Sequence, residues 1–192
     1  VTNASNPALI GDKYYDSEII APGAAVVFSV FRDNLGGMPA GTFASAVVSA
    51  GQNLVGSVNE SKDQANTPGG KAKAVYAAFA QASATDLIAL PLVKELFGGK
   101  TTGVSVVNAG DNPTTVIASY TDADGVTRVF QTSSPVDPGE AVSLFQVFQN
   151  NNNLFTGLAD FSVLKGTKNS VSLTTNNGEE IIALAQESDR AE

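Results

Sequence analysis

Cysteine, histidine and tryptophan are absent from the sequence. Without cysteine the chain has no disulfide and no thiolate nucleophile, and without histidine it has no imidazole base. Zinc sites of the usual cysteine and histidine type are excluded with them. Catalysis by carboxylates alone, as in glycosidases, is the one remaining route, and it needs two carboxylates that face each other across a cleft. No such pair stands out in the sequence, so we expect the protein not to be an enzyme.

Charged residues are also scarce. They make up 16% of the chain, against roughly 25% in typical soluble proteins. The net charge is −8, and because an acidic surface repels phosphate backbones we expect no nucleic-acid partner. No apolar run approaches the roughly 18 residues of a membrane-spanning helix, which predicts no membrane span. The first residues lack the basic-then-apolar layout of a signal peptide, so a secreted protein would correspond to this chain after processing.

Short apolar runs separated by turn residues dominate the sequence, a pattern typical of all-β proteins. Hydrophobic residues make up 43% of the 192 residues, enough for a sizeable core. The pairs Pro22-Gly23 and Pro138-Gly139 favour type II turns, because glycine takes the positive φ that such turns need. The predicted strands are 25–31, 43–48, 54–58, 87–93, 103–108, 115–121, 127–132, 141–148, 159–163, 171–174 and 181–186.

Lys71–Ala84 is the one ambiguous segment, because its alanine content gives it good helix propensity. A single helix there stays open as an alternative. Val75, Tyr76 and Phe79 also suit a sheet, and we favour strand or extended structure.

A diverged internal repeat runs through the chain. Pro22-Gly23 resembles Pro138-Gly139 at an offset of 116 residues (22 to 138). Further matches follow in the same order along both units. Near the start of each unit the offset is 106 residues (Tyr14 to Tyr120), and near the end it is 127 (Ser61 to Ser188). The steps between these offsets fall in turn-like segments, where loops tolerate extra residues. The repeat predicts two related units, residues 1–84 and 85–192.

A series of motifs carries a resemblance to a known class of repeats. In order they are Leu90-Pro91-Leu92-Val93, Thr102–Asn108, Ser119-Tyr120-x-Asp122-x-Asp124-Gly125, Pro138-Gly139, and Gly157 before an alternating strand. This order resembles the repeat units of bacterial secreted and cell-surface proteins, and nearly the whole chain is covered. The resemblance implies an all-β fold of two tandem immunoglobulin-like antiparallel β-sandwich domains, at 1–84 and 85–192. It also implies a secreted or cell-surface location, a role in adhesins, surface layers or extracellular appendages, and no catalytic residues.

Asp122 and Asp124 are the candidate metal ligands, with calcium as the cation that clustered oxygens suit. Asp111 is the one acidic residue near enough in sequence to join them. A calcium loop of the EF-hand type needs an oxygen ligand where Tyr120 stands, so a hairpin turn is the favoured interpretation and no cofactor is expected. The first unit has Asp16-Ser17-Glu18 at the equivalent place, and we expect no ion site common to both units.

Three further patterns have a structural and a functional interpretation. Gly98-Gly99-Lys100-Thr101 resembles the end of a phosphate-binding loop, but the motif needs a glycine where Lys94 stands, so a turn between two strands is favoured. Asn150–Asn153 is either a sugar-binding loop or an exposed turn. The phenylalanines of the predicted strands are interpreted as core, namely Phe28, Phe31, Phe43, Phe145, Phe148 and Phe161.

Two classes of function remain. The preferred one is an extracellular structural protein, a subunit of a cell-surface filament, pilus-like fibre or surface coat. The first unit lacks counterparts of the opening strands of the second, and the second lacks the closing strand of the first. Because a missing strand leaves backbone groups that another copy can pair, we expect self-association by strand sharing or edge pairing, and the other interpretation of the missing strands is a fragment of a longer repeat array cut within its units. The alternative is a non-catalytic adhesion or binding module for surface glycans or another protein.

Overall fold

A computed structural model describes residues 3–4, 6–9, 11–28, 37–39, 42–62, 72–144, 155–157 and 161–189. Within these ranges the protein is all-β, with antiparallel strand pairing and only short 3₁₀ helices at Pro7–Leu9, Gln81–Ser83 and Phe161–Leu164. None of these helices is long and apolar enough to cross a lipid bilayer. The strands are β1 (Asn3–Ala4), β2 (Thr42–Phe43), β3 (Ser57–Lys62), β4 (Ala72–Ala77), β5 (Leu87–Glu95), β6 (Lys100–Asn108), β7 (Val116–Asp122), β8 (Thr127–Thr132), β9 (Ala141–Leu144), β10 (Phe155–Gly157), β11 (Thr167–Thr175) and β12 (Ile181–Asp189).

The chain divides into two compact units, Val1–Ser45 and Ala46–Glu192. In the first unit, β1 pairs with β2. A turn at Pro22-Gly23 is closed by a hydrogen bond from Ala24 N to Ala21 O, with Gly23 at a φ of 75°. This geometry confirms the Pro-Gly turn predicted there. The observed division falls inside the first predicted sandwich, and the predicted units 1–84 and 85–192 stay a prediction.

Two sheets account for most of the Ala46–Glu192 unit. One has five strands in the order β10-β8-β7-β11-β5, and the other has three in the order β12-β6-β9. A separate hairpin pairs β3 with β4. The strand predicted in Lys71–Ala84 is thereby confirmed as β4, and the α-helix alternative is wrong over Ala72–Ala77.

One hydrophobic core receives side chains from both sheets, which is the arrangement of a β-sandwich. In β7, Val116, Ala118 and Tyr120 are buried and the intervening residues are less so, as the two-residue repeat of a strand requires. The Tyr120 ring meets Phe130 edge-on, with centroids 5.7 Å apart. The buried core residues are Val93, Val104, Val106, Val116, Ala118, Tyr120, Phe130, Val136, Leu144, Leu164, Val171, Leu173 and Ile181.

Pro91 lies within β5, where its missing N–H group would interrupt a central strand. β5 is an edge strand of the five-stranded sheet. Its register with β11 shifts between Asn169 and Val171, because Pro91 and Leu92 together lie opposite Ser170. An edge position and a bulge are the two places where a sheet tolerates proline.

The strands predicted from 87 onward are largely confirmed as β5 to β9, β11 and β12, apart from 145–148, which lie outside the described residues. The prediction for 159–163 is wrong in its described part, because Phe161–Leu164 is a 3₁₀ helix that buries Leu164 and exposes Val163. The predictions for 25–31 and 43–48 are mostly wrong as well, since 24–28 and 44–56 contain no strand. Apolar residues there, among them Phe28 and Val47, are exposed, so the predicted core role of Phe28 is wrong. The side chains of the other five phenylalanines assigned to the core lie outside the described part.

Candidate functional site

The candidate metal ligands lie in the hairpin turn between β7 and β8. Oδ1 of Asp122 accepts hydrogen bonds from the backbone N–H groups of Asp124, at 3.0 Å, and Val126, at 2.9 Å. Oδ2 accepts one from Arg128 Nη1, at 2.9 Å. The Arg128 hydrogen bond, followed by the Val126 backbone hydrogen bond, lowers the pKa of Asp122. Both carboxylate oxygens therefore already have donors within the protein.

Asp111 does not join these two aspartates. It lies in the loop before β7 begins, whereas Asp122 lies where β7 ends. In its own loop, the backbone N–H of Asp111 donates to Glu179 Oε2 at 2.8 Å, and Asn112 Nδ2 donates to Glu179 Oε1 at 2.8 Å. No group of three or more acidic side chains placed to hold a metal occurs within the described ranges. The predicted hairpin turn is confirmed, and calcium binding at Asp122 and Asp124 stays a hypothesis.

The glycine-rich segment after β5 forms a tight hairpin. Phe97 and Lys100 exchange two backbone hydrogen bonds, of 3.0 and 3.2 Å, around Gly98 and Gly99. Both glycines have positive φ, 60° and 74°, as a two-residue hairpin loop demands. The next element is the strand β6 and not a helix. The turn between two strands is confirmed, and the geometry of a phosphate-binding loop is absent at this segment.

One carboxyl group is sealed inside the sandwich. Glu95, at the end of β5, is 0% exposed, and so is Tyr120. Burial, and secondarily the charge of Glu95, raises the pKa of Tyr120 far above its ordinary value. Because both residues are closed off from solvent in the core, neither is placed to meet a substrate.

The outer face of the five-stranded sheet has three consecutive rows of uncharged side chains across four neighbouring strands, and the row beyond them places Lys168 of β11 opposite Lys94 of β5. Strand register and alternation place its residues in rows that run from β5 across β11 and β7 to β8. The rows are Leu87, Thr174, Ile117 and Gln131; Ala89, Ser172, Ser119 and Val129; and Pro91, Ser170, Thr121 and Thr127. A shallow depression of about 360 Å³ lies on this face, between β5, β7 and β11. We call it the hydroxyl face, because serine and threonine supply half of its side chains.

The two long edge strands differ in how open they are to another strand. β5 carries Pro91 and a bulge, which are devices that natural sheets use to prevent edge pairing, whereas its Lys94 pairs with Glu187 of β12 at 2.7 Å. β12 runs for nine residues in unbroken register with β6, from Ile181 opposite Asn108 to Asp189 opposite Lys100. It contains neither proline nor lysine. β12 is thus the less protected edge.

Hydrogen bonds at the start of β12 show which backbone groups point outward. Glu180 O accepts from Ala109 N on the β6 side, whereas Ile181 exchanges two bonds, of 2.8 and 3.1 Å, with Thr85 on the opposite side. Alternate residues of an antiparallel strand direct their backbone groups to the same side. Ala183, Ala185 and Glu187 therefore direct theirs away from β6, where the described part of the chain places no strand against them.

Sequence reasoning found β12 as a strand but could not identify it as an edge, because edge status depends on which strands pair. Ile181–Asp189 contains neither proline nor lysine, the residues that mark a protected edge, so its composition carried no signal of edge status. Asn150–Asn153, the other candidate binding segment, lies outside the described residues. No protein-family model and no curated protein sequence matches this chain. The function therefore has to be inferred from the geometry of the chain alone.

Proposed function

We propose that this protein is an extracellular structural protein, a subunit of a cell-surface filament, pilus-like fibre or surface coat. In this proposal the chain consists of tandem immunoglobulin-like sandwiches, is secreted or held at the cell surface, and associates with copies of itself by β-strand sharing or edge pairing. It has no catalytic role.

The observation that carries the proposal is the open edge of β12. Three outward residues, Ala183, Ala185 and Glu187, offer a regular ladder of backbone donors and acceptors. An edge without proline, bulge or lysine invites a further strand, and soluble proteins normally protect such edges. β5, the other long edge strand of the same sandwich, carries the bulge that β12 lacks, so the two edges of one molecule differ in their protection. Retaining one open edge beside a protected one is what an assembling subunit requires.

The surface composition supports the same proposal. Copies of a chain with a net charge of −8 repel one another over most approaches. The small share of charged residues, 16% of the chain, and the three uncharged rows of the hydroxyl face leave surface over which this repulsion is weak. Head-to-tail contacts that do not close into a ring generate filaments.

Blocking the edge tests the proposal directly. The N–H of Ala185 points away from β6, so Ala185→Pro removes an outward donor without removing a β6–β12 hydrogen bond. Ala185→Ser is the matched control, because it changes the same side chain and keeps the N–H. Wild-type protein and A185S should form concentration-dependent polymers in sedimentation velocity and filaments in electron micrographs, and A185P should stay monomeric.

Circular dichroism of A185P establishes that the variant is folded before its assembly is judged. A wild-type chain that stays monomeric at high concentration would sink the structural proposal. Polymerisation of folded A185P as efficient as that of the wild type would show that β12 is not the assembling edge.

A second candidate function is a non-catalytic adhesion or binding module. The hydroxyl face favours it, since its shallow depression is lined by uncharged groups, among them Ser119, Thr121, Ser170 and Ser172, that suit a neutral ligand such as a glycan. Glycan-array binding that Ser119→Val and Ser172→Val abolish, in a chain that remains monomeric, would select this function over the structural one.

A further inference from the structure

The β3–β4 hairpin is an incomplete sheet. It contains two strands and joins neither sheet of the sandwich in the described part of the chain. A two-stranded hairpin is at best marginally stable in water and needs a third strand or a packed face. Val75 of β4 lacks a packed partner among the described residues, since it is 70% exposed, and Phe79, just after β4, is 51% exposed.

The free edge of this hairpin can be identified from its hydrogen bonds. Ala78 N donates to Gly56 O at 2.9 Å, so even-numbered residues of β4 direct their backbone groups toward β3. Lys73, Val75 and Ala77 therefore direct theirs away from β3. β4 thus offers three outward residues, and β12 offers Ala183, Ala185, Glu187 and Asp189.

Asp189 continues the outward series of β12, so two antiparallel registers engage all three outward residues of β4. One of them keeps Val75 opposite an alanine and not opposite Glu187. It places Ala183 opposite Ala77, Ala185 opposite Val75, and Glu187 opposite Lys73. The last pair has opposite charges, and Lys73 would join Lys94, whose Nζ already lies 2.7 Å from Glu187 Oε2. Opposite charges across neighbouring strands stabilise the pairing, whereas like charges oppose it.

We infer that β4 of one copy adds to β12 of a second copy in this register and extends the three-stranded sheet to four strands or more. The inference rests on the proposed function, since it names the strand that the open edge receives. The donor and the acceptor are different surfaces of the chain. The contact is therefore head-to-tail and continues from copy to copy unless the rotation closes a ring.

The pairing also buries apolar surface that is now exposed. Ala183 packs against the core, and alternation places Ala185 on the same side of β12. Val75, opposite Ala185, comes to lie on that core side of the extended sheet. Burying a valine side chain contributes favourably to association, in addition to the backbone hydrogen bonds.

The absence of cysteine allows a clean crosslinking test. Ala74 lies opposite Gln186 in the inferred register, as a pair without mutual hydrogen bonds, whose Cα atoms would be about 4.5 Å apart and within disulfide reach. Ala74→Cys and Gln186→Cys are made in separate chains with different mass tags, mixed, and oxidised with glutathione disulfide. The expected product is a disulfide-linked pair of unlike chains.

The matched control mixes A74C with Leu184→Cys, which would lie diagonally across the interface and out of disulfide reach. The linked species should be lost with this control. Equal crosslinking of the two mixtures, or none in either, overturns the inference. So does crosslinking that occurs only when A74C and Q186C stand in one chain, because the hairpin would then dock on its own β12.

These outcomes separate the inference from the proposed function. Filaments that A185P abolishes, without an A74C–Q186C crosslink, would leave edge assembly standing and refute β4 as the donor. A crosslink of unlike chains without filaments would support the β4–β12 contact and refute the filament.

Discussion

Arg128 donates a hydrogen bond from Nη1 to Oδ2 of Asp122 across the base of the β7–β8 hairpin, at 2.9 Å. The other carboxylate oxygen accepts two backbone N–H groups of the turn. Asp122, the candidate calcium ligand for which the sequence favoured a turn, thus closes that turn, with a guanidinium beside it as the neutralising charge.

Asp122→Asn should destabilise the protein at neutral pH, because it removes the charge that Arg128 and the turn N–H groups stabilise. The folded-state pKa of Asp122 lies below its ordinary value. Its contribution is therefore fully present above the unfolded pKa, about 3.9, and is lost as the pH falls through the folded value. Urea unfolding followed by circular dichroism should show the wild-type and D122N midpoints converging as the pH falls from neutral toward about 2.

The matched control for this experiment is Asp124→Asn in the same turn, where the contact to Asp122 comes from the backbone N–H and not from the side chain. D124N should keep the wild-type midpoint at neutral pH, because the turn hydrogen bond of residue 124 comes from its backbone. A D122N midpoint equal to that of the wild type at neutral pH would contradict the assigned role of Asp122. Calcium that raises the wild-type midpoint and leaves that of D122N unchanged would instead support the ion site.

The same hairpin shows what a sequence can and cannot predict. Asp122 and Gly125 indicate a turn because their preferences are local. The pairing of Asp122 with Arg128 depends on strand register, which places Arg128 opposite Tyr120. Likewise Pro91 signals an edge or a bulge, but only strand order shows that β5 has both. Segment 44–56 has apolar runs typical of strands but no sheet to join, so local propensity there has no tertiary support.

Gly139→Ala should cost about 1–2 kcal/mol of unfolding free energy, because a Cβ disfavours the left-handed backbone conformation. Gly139 has a φ of 76°, in a turn that Glu140 N closes onto Asp137 O. Gly51→Ala is the matched control, since its added Cβ meets nothing within 4 Å and its φ is not in the left-handed region. Urea unfolding should show a lower midpoint for G139A and no loss for G51A. Equal midpoints for the two variants would contradict the turn geometry.

Leu173→Ala tests whether the two sheets share one core. Leu173 is fully buried in β11, and truncating such a leucine typically costs about 2–5 kcal/mol. Leu87→Ala provides the control, because Leu87 is 56% exposed on the hydroxyl face and should lose less than about 1 kcal/mol. The measurement is the free energy of unfolding from urea titrations with a common m-value. Similar losses for L173A and L87A would show that the core does not lie between these sheets.

Tyr120 should keep its phenolic proton as long as the protein stays folded. Burial, together with the nearby Glu95 carboxyl, raises its pKa far above the ordinary value of about 10. A raised folded-state pKa means that stability is fully present below about pH 10 and is lost as the pH rises further, since only the unfolded chain releases the proton readily. The phenylalanine of the Tyr120→Phe variant has no proton to lose. The wild type should therefore lose stability above about pH 10 more steeply than Y120F, as measured by urea unfolding at a series of alkaline pH values. Deprotonation of the lysines and of the other tyrosines lowers the stability of both chains equally. The remaining difference in stability between the wild type and Y120F therefore reports the ionisation of Tyr120. Below the alkaline transition, tyrosinate absorbance of the two folded proteins should coincide, and one extra tyrosinate in the folded wild type would place Tyr120 at the surface and not in the core.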